Sequence, residues 1–191
     1  MSVSSVIKHP RRISIGLLGV LVLLAPVILG ATTTDPASPQ IQAAVRGAIT
    51  DAVDAGTYKD TAWTSGPLAQ SVVQQMHATL ASRLAQHMTG RALAHWRTAL
   101  DIAINRDSDG QHVIVTAGGT DQIEFSDVTV SKNTATAVGR AHTWVTWVIH
   151  DPRVPGPHSA RPSGWSAFSV ALVLINGTWY VEQMSLVPEG I

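Results

Sequence analysis

The chain has 191 residues, with 13 Lys and Arg matched by 13 Asp and Glu, eight histidines and no cysteine. Without cysteine it forms neither disulfides nor thiolate metal sites, so apolar packing alone must hold the fold. Beyond residue 31 ten basic residues face all thirteen acidic ones, a net charge of −3, and no concentrated basic patch is present, which argues against a nucleic-acid partner.

Residues 1–12 carry Lys8, Arg11 and Arg12 and read as a basic cytoplasmic N-terminus. The next 19 residues, Ile13 to Ala31, lack any charge; as a helix rising about 1.5 Å per residue they would span about 28 Å, close to the hydrocarbon thickness of a bilayer. Basic residues flank this run on its N-terminal side only, which predicts a single-pass anchor in the cell membrane with everything beyond it outside the cytoplasm. The alternative is a cleaved signal peptide ending at Leu29-Gly30-Ala31, which would make the protein secreted. Residues 32–40, TTTDPASPQ, contain two prolines and read as an extended linker. Residues 41–191 then form one extracytoplasmic domain, long enough for a core of its own.

Within that domain the apolar residues first recur at helical spacing. Ile41, Val45, Ala48, Ile49 and Val53 predict a helix that stops near Gly56, with Arg46, Asp51 and Asp54 on its other faces. Leu68, Val72, Met76, Leu80, Leu84 and Met88 mark a second helix; Leu93, Trp96, Leu100 and Ile104 mark a third, from Arg91 to Ile104, with Gly90 as the break between them. After Asp109-Gly110 the period becomes two. Strands are predicted at His112–Thr116, Gln122–Ser131, Thr134–His150, Trp165–Ile175 and Thr178–Val187. Asn176-Gly177 is a strong hairpin signal because both residues tolerate positive φ, and Lys132-Asn133 is a weaker one. Asp151 to Gly164, with four prolines, reads as a long loop joining antiparallel strands.

Helices followed by antiparallel strands predict an α+β domain with about three helices packed on one face of a curved sheet. The strand pair around Val128-Thr129-Val130-Ser131-Lys132-Asn133-Thr134-Ala135-Thr136-Ala137 and the closing Asn176-Gly177-Thr178-Trp179-Tyr180-Val181 resemble the nuclear-transport-factor-2-like superfamily of cone-shaped domains, over about Ile41 to Val187. A single membrane helix joined to one such domain is similar to two bacterial groups. These are the membrane proteins associated with mammalian-cell-entry lipid importers and the envelope assembly subunits of type IV secretion machines. The resemblance implies a scaffold or accessory role among envelope proteins, without a cofactor; some cone-shaped relatives are instead isomerases or dehydratases with an acid and a base inside the cone.

Candidate site residues follow from strand alternation. In Thr134–His150 the face Ala135, Ala137, Gly139, Ala141, Thr143, Val145, Trp147, Ile149 is apolar and turns inward, sending Arg140, His142 and Trp144 outward. Trp144 and Trp165 flank the Pro-rich loop, which with Arg153, His158 and Arg161 is expected to form a partner-contact edge; homo-oligomers also remain open. If Tyr180, Glu182, Met184 and Leu186 line the cone, Tyr180 and Glu182 are the acid–base candidates, although the fewness of titratable groups there argues against catalysis. No metal site is expected. Asn105 to Gly110 imitates a calcium loop but has Thr116 where the twelfth ligand should be Glu, and His77, His87 and His95 lack zinc spacing and are expected on helix surfaces.

Overall fold

The structure, a computed structural model, describes residues 38–59, 67–108, 113–149, 156 and 158–190. The run from Ile13 to Ala31 lies outside the described residues, as does most of the linker. Among the described residues no helix is long and apolar enough to cross a membrane.

Helix α1 spans Ser38–Asp54, so it begins inside the expected linker, with Pro39 in the first turn where a missing N–H costs nothing. Its stripe of Ile41, Ala44, Val45, Ala48, Ile49 and Ala52 is buried. Helix α2, Gln70–Leu84, is shorter than its apolar stripe, because the chain leaves the helix to bond the sheet. Val181 N–H donates to the His87 carbonyl and Thr89 N–H to the Val181 carbonyl, at 2.8 and 2.9 Å, which draws Met88 into a parallel bridge with Val181. Gly90, at φ +50°, makes the corner that only glycine enters freely, and α3 runs from it over Gly90–Ser108. Residues 105–108 of the supposed calcium loop are therefore helical.

Five strands, all antiparallel, follow: β1 Val113–Ser131, β2 Thr134–Ile149, β3 His158–Ala160, β4 Ser163–Ile175 and β5 Thr178–Pro188, in the order β1-β2-β4-β5 with β3 also on β2. The two strands expected before Ser131 are one. Ala117 to Thr120 stay in the ladder, and register shifts at Thr116, Asp121 and Ser126 absorb the irregular pattern as bulges, which bend an edge strand without ending it. The Pro-rich segment is not wholly irregular either: β3 pairs with Trp147 to Ile149, and the Pro162 carbonyl accepts from Val145 N–H at 3.1 Å. Thus β3 and β4 continue one edge of β2, with Pro162 at the joint where no N–H is required. Both hairpin turns form as expected, Asn176 at φ +51° and Gly177 at φ +80°.

The helices cover one sheet face. Ala135, Ala137 and Ala141 of β2 are buried there beside Phe168, Val170 and Leu172 of β4 and Trp179 and Val181 of β5. Gly118 of β1 lies against the Val53 carbonyl at the end of α1, so helix and sheet approach closely. Leu80, Leu84, Met88, Trp96 and Ile104 fill the remaining interior.

Candidate interaction surface

The outer face of the sheet, opposite the helices, brings together several of the predicted contact residues. Antiparallel register sets His142 of β2 beside Trp165 of β4, and Arg140 beside Ala167. The Trp165 and His142 rings lie 5.4 Å apart, and the Arg140 guanidinium stacks on Trp165 at 4.5 Å. Trp144 lies two residues further along β2, over Gly119 of β1. A Cβ at Gly119 would stand 2.7 Å from the Trp144 ring, so only glycine lets the indole lie there. Arg161, at the β3–β4 joint, stacks on Trp144 at 3.9 Å. Carboxylates from β1 border both stacks: Arg140 Nε donates to Glu124 at 2.7 Å, while Asp121 lies 3.5 Å from His142 and 3.9 Å from Arg161.

Three of the five expected contact residues, Trp144, Arg161 and Trp165, therefore share one surface. His158 is exposed on β3 opposite Ile149, and Arg153 lies outside the described residues. Glu124, Asp121 and Arg140 complete the cluster.

Tyr180, Glu182, Met184 and Leu186 do not share the face that strand alternation gave them. In β5, Val181 faces Leu172 and Gln183 faces Ala171, leaving Glu182 as an extra, exposed residue packed on Gly90. This bulge reverses the alternation. Met184 and Leu186 pack toward the helices, Tyr180 shares the outer face with Val173, and the four residues do not line one surface.

Sequence reasoning missed a polar cluster on the helical side. Asp51, only 6% exposed, accepts from Arg83 at 3.2 Å and meets His87 Nδ1 at 2.8 Å. Asp54 accepts from Arg83 at 3.1 Å, from Gly118 N–H at 3.0 Å and from Lys59. Burial would push the Asp54 carboxyl up, but the hydrogen bonds from Lys59, Gly118 and Arg83 prevail and hold it below the usual carboxylate value. The ring of His87 lies against Gly47, where a Cβ would stand 2.3 Å from it. One signal was present: Asp51 follows Ala48 by three residues and Ala44 by seven, inside the buried stripe. His77 is likewise no free surface histidine, since it bonds Asp101 at 2.6 Å and Asn105 at 3.1 Å. Beside His87 an open cleft of about 400 Å³ is lined by Gln40, Ala43, Ala44, Gln86 and the hairpin residues Gly177 to Trp179. Among the described residues no three His, Asp or Glu side chains gather as metal ligands do.

No family model matches the chain, and no curated protein matches it. Among solved structures it is similar to a periplasmic fragment of TraM, with 11% identity, a TM-score of 0.45, and coverage of 79% of this chain and 97% of that one. It is also similar to an IcmL-like type IV secretion system protein from Legionella pneumophila, with 10% identity, a TM-score of 0.42, and coverage of 84% and 97%. A third similar structure is an Ntf2-like protein involved in plasmid conjugation, with 10% identity, a TM-score of 0.33, and coverage of 79% and 50%. Among the described residues three helices lead into an antiparallel sheet and cover it on one face, an α+β fold.

Proposed function

We propose that the chain is a membrane-anchored, extracytoplasmic binding or scaffold domain, an accessory subunit of a bacterial envelope transport or secretion complex. The observation that carries this reading is the filled interior. Leu80, Leu84, Met88, Trp96, Phe168, Leu172 and Trp179 occupy the space between helices and sheet, where a cone-shaped enzyme would keep polar groups converging on a substrate. Side chains suited to recognition stand instead on the outer sheet face, where Trp and Arg, the residues that dominate binding energy at protein interfaces, are stacked in pairs. The uncharged run behind Lys8, Arg11 and Arg12 supports the anchor.

The test is purification of the full chain from membranes in mild detergent. Wild type should elute within a larger envelope complex and Trp144→Ala alone, with unchanged thermal stability. Co-elution of Trp144→Ala with the same complex overturns the outer face as contact surface, and a soluble processed form beginning near Thr32 overturns the anchor.

His87 favours a second reading, a small-molecule site. Asp51 fixes its Nδ1, Gly47 seats its ring, and the residue borders the open cleft. A carboxylate-held imidazole of this kind leaves Nε2 to meet a ligand proton. Under this reading His87→Gln abolishes ligand-induced thermal stabilisation in a screen of small polar metabolites, while Trp144→Ala leaves it intact.

A further inference from the structure

We infer that the outer face of β2 and β4 takes an extended acidic segment of a partner polypeptide, with alternate carboxylates on Arg140 and Arg161. This rests on the reading of the domain as a binding module, and it names the chemistry of what is bound.

The two guanidiniums are prepared for such a ligand. Each lies over an indole, so the rotamer freedom that a long cation normally loses on binding is already restricted. Arg140 is 48% exposed, and its bond to Glu124 runs through Nε, on the inner side of the guanidinium fork. Arg161 is 57% exposed, and its contact with Asp121, at 3.9 Å, is beyond hydrogen-bond distance. Planar N–H edges left open in this way match a carboxylate, which accepts two parallel bonds.

Register supplies the spacing. Trp165 stands opposite His142, and Trp144 lies two residues further on the neighbouring strand. With a rise of about 3.4 Å per residue and about 4.8 Å between strands, the backbone positions that carry the two tryptophans are separated by about 8 Å. Alternate side chains of an extended chain repeat at about 6.8 Å on one side, whereas neighbouring residues point to opposite sides. A segment with acidic residues at every second position therefore reaches both arginines at once. Glu124 and Glu189 interact with Arg140 and Asp121 with Arg161, so their charges offset much of the arginines' long-range field and recognition depends on short-range fit.

The experiment titrates the full chain in detergent with three octapeptides, one alternating Glu and Ser, one with its Glu residues in a block, and one alternating Lys and Ser. Tryptophan fluorescence reports binding, and Trp144→Phe assigns the signal. The alternating acidic peptide should bind about tenfold tighter than the block peptide. Arg140→Gln and Arg161→Gln should each weaken it about tenfold, as expected for loss of one charge-assisted bidentate contact. Arg161→Lys, which keeps the charge but not the planar fork, should weaken it as well.

Equal binding of the two acidic peptides, binding unaffected by Arg161→Gln, or preferential binding of phosphatidylglycerol vesicles through the same arginines would overturn the inference. If Trp144→Ala releases the envelope complex while the peptides show no spacing preference, the acidic segment fails and the contact surface stands. If Trp144→Ala keeps the complex, the underlying reading fails.

Discussion

Gly118→Ala tests how closely α1 is seated on the sheet. A Cβ at Gly118 would stand 2.0 Å from the Val53 carbonyl oxygen and 2.7 Å from its carbon. Both are backbone atoms of the last turn of α1, so no side-chain rotation relieves the clash, and the helix end must retreat by about 1 Å or more to restore ordinary contact. That retreat opens the packing of Ile49 and Ala52. It also stretches the 3.0 Å bond from Gly118 N–H to the Asp54 carboxylate. Overpacking of this kind costs about 1–3 kcal/mol, and a weakened bond to a charged acceptor adds to it, giving about 3 kcal/mol in all. For a domain of this size the melting temperature should fall by roughly 9 °C, followed by circular dichroism on the full chain in detergent. Gly164→Ala is the control, since nothing lies within 4 Å of its added Cβ, and it should stay within about 0.5 kcal/mol of wild type. A Gly118→Ala protein equally close to wild type would refute the seating described for α1.

Asp51→Ala should cost about 2 kcal/mol in urea denaturation, because it leaves His87 without its carboxylate and Arg83 with Asp54 alone, both partly solvated; Asp51→Asn, which can still bond both, should cost less. The lowered pKa of Asp54 makes its contribution complete above the unfolded carboxylate value of about 3.9 and progressively lost as pH falls through the folded value. Between pH 5 and pH 3 wild type should therefore lose more stability than Asp54→Asn, and equal losses would show that Asp54 is not the linked group. Deleting Glu182 removes the β5 bulge and forces a choice between burying Trp179 with Val181 and burying Met184 with Leu186; either loss should lower stability by about 3 kcal/mol. Glu182→Thr keeps the residue count and should differ from wild type by less than about 0.5 kcal/mol in the same denaturation.

The helices and hairpins were legible because their signals are local. Ile41 through Ala52 repeats at the helical period, and Asn176-Gly177 carries its turn geometry in two residues. What escaped the sequence was decided by contacts between distant segments. Met88 continues the apolar stripe of α2, yet the bonds of His87 and Thr89 to Val181 end the helix earlier. The bulges at Thr116, Asp121 and Ser126 carry β1 through the gap between the two strands expected at His112–Thr116 and Gln122–Ser131, and nothing in the hydrophobic pattern marks a bulge before its partner strand is known.

The two candidate sites divide along the same line. β2 pairs with β4 without a register shift from Thr134 to Trp144, so strict alternation held there, and Trp144 and Arg140 stand outward as the period of two requires. β5 has one extra residue at Glu182, so the same rule wrongly grouped Tyr180 and Glu182 on one face with Met184 and Leu186. Arg161 was expected at the contact edge as part of the Pro-rich loop, but its place over Trp144 depends on β3 and β4 meeting at Pro162 along a single edge of β2. The Asp51 cluster shows the converse: Asp51 was expected on another face of α1 although its spacing from Ala44 and Ala48 puts it in the buried stripe, and its partners Arg83 and His87 lie 32 and 36 residues away and could be found only once α1 and α2 were packed together. A sheet face is thus readable from sequence as far as its register runs unbroken, while a buried polar network is readable only as the residue that does not belong in the stripe.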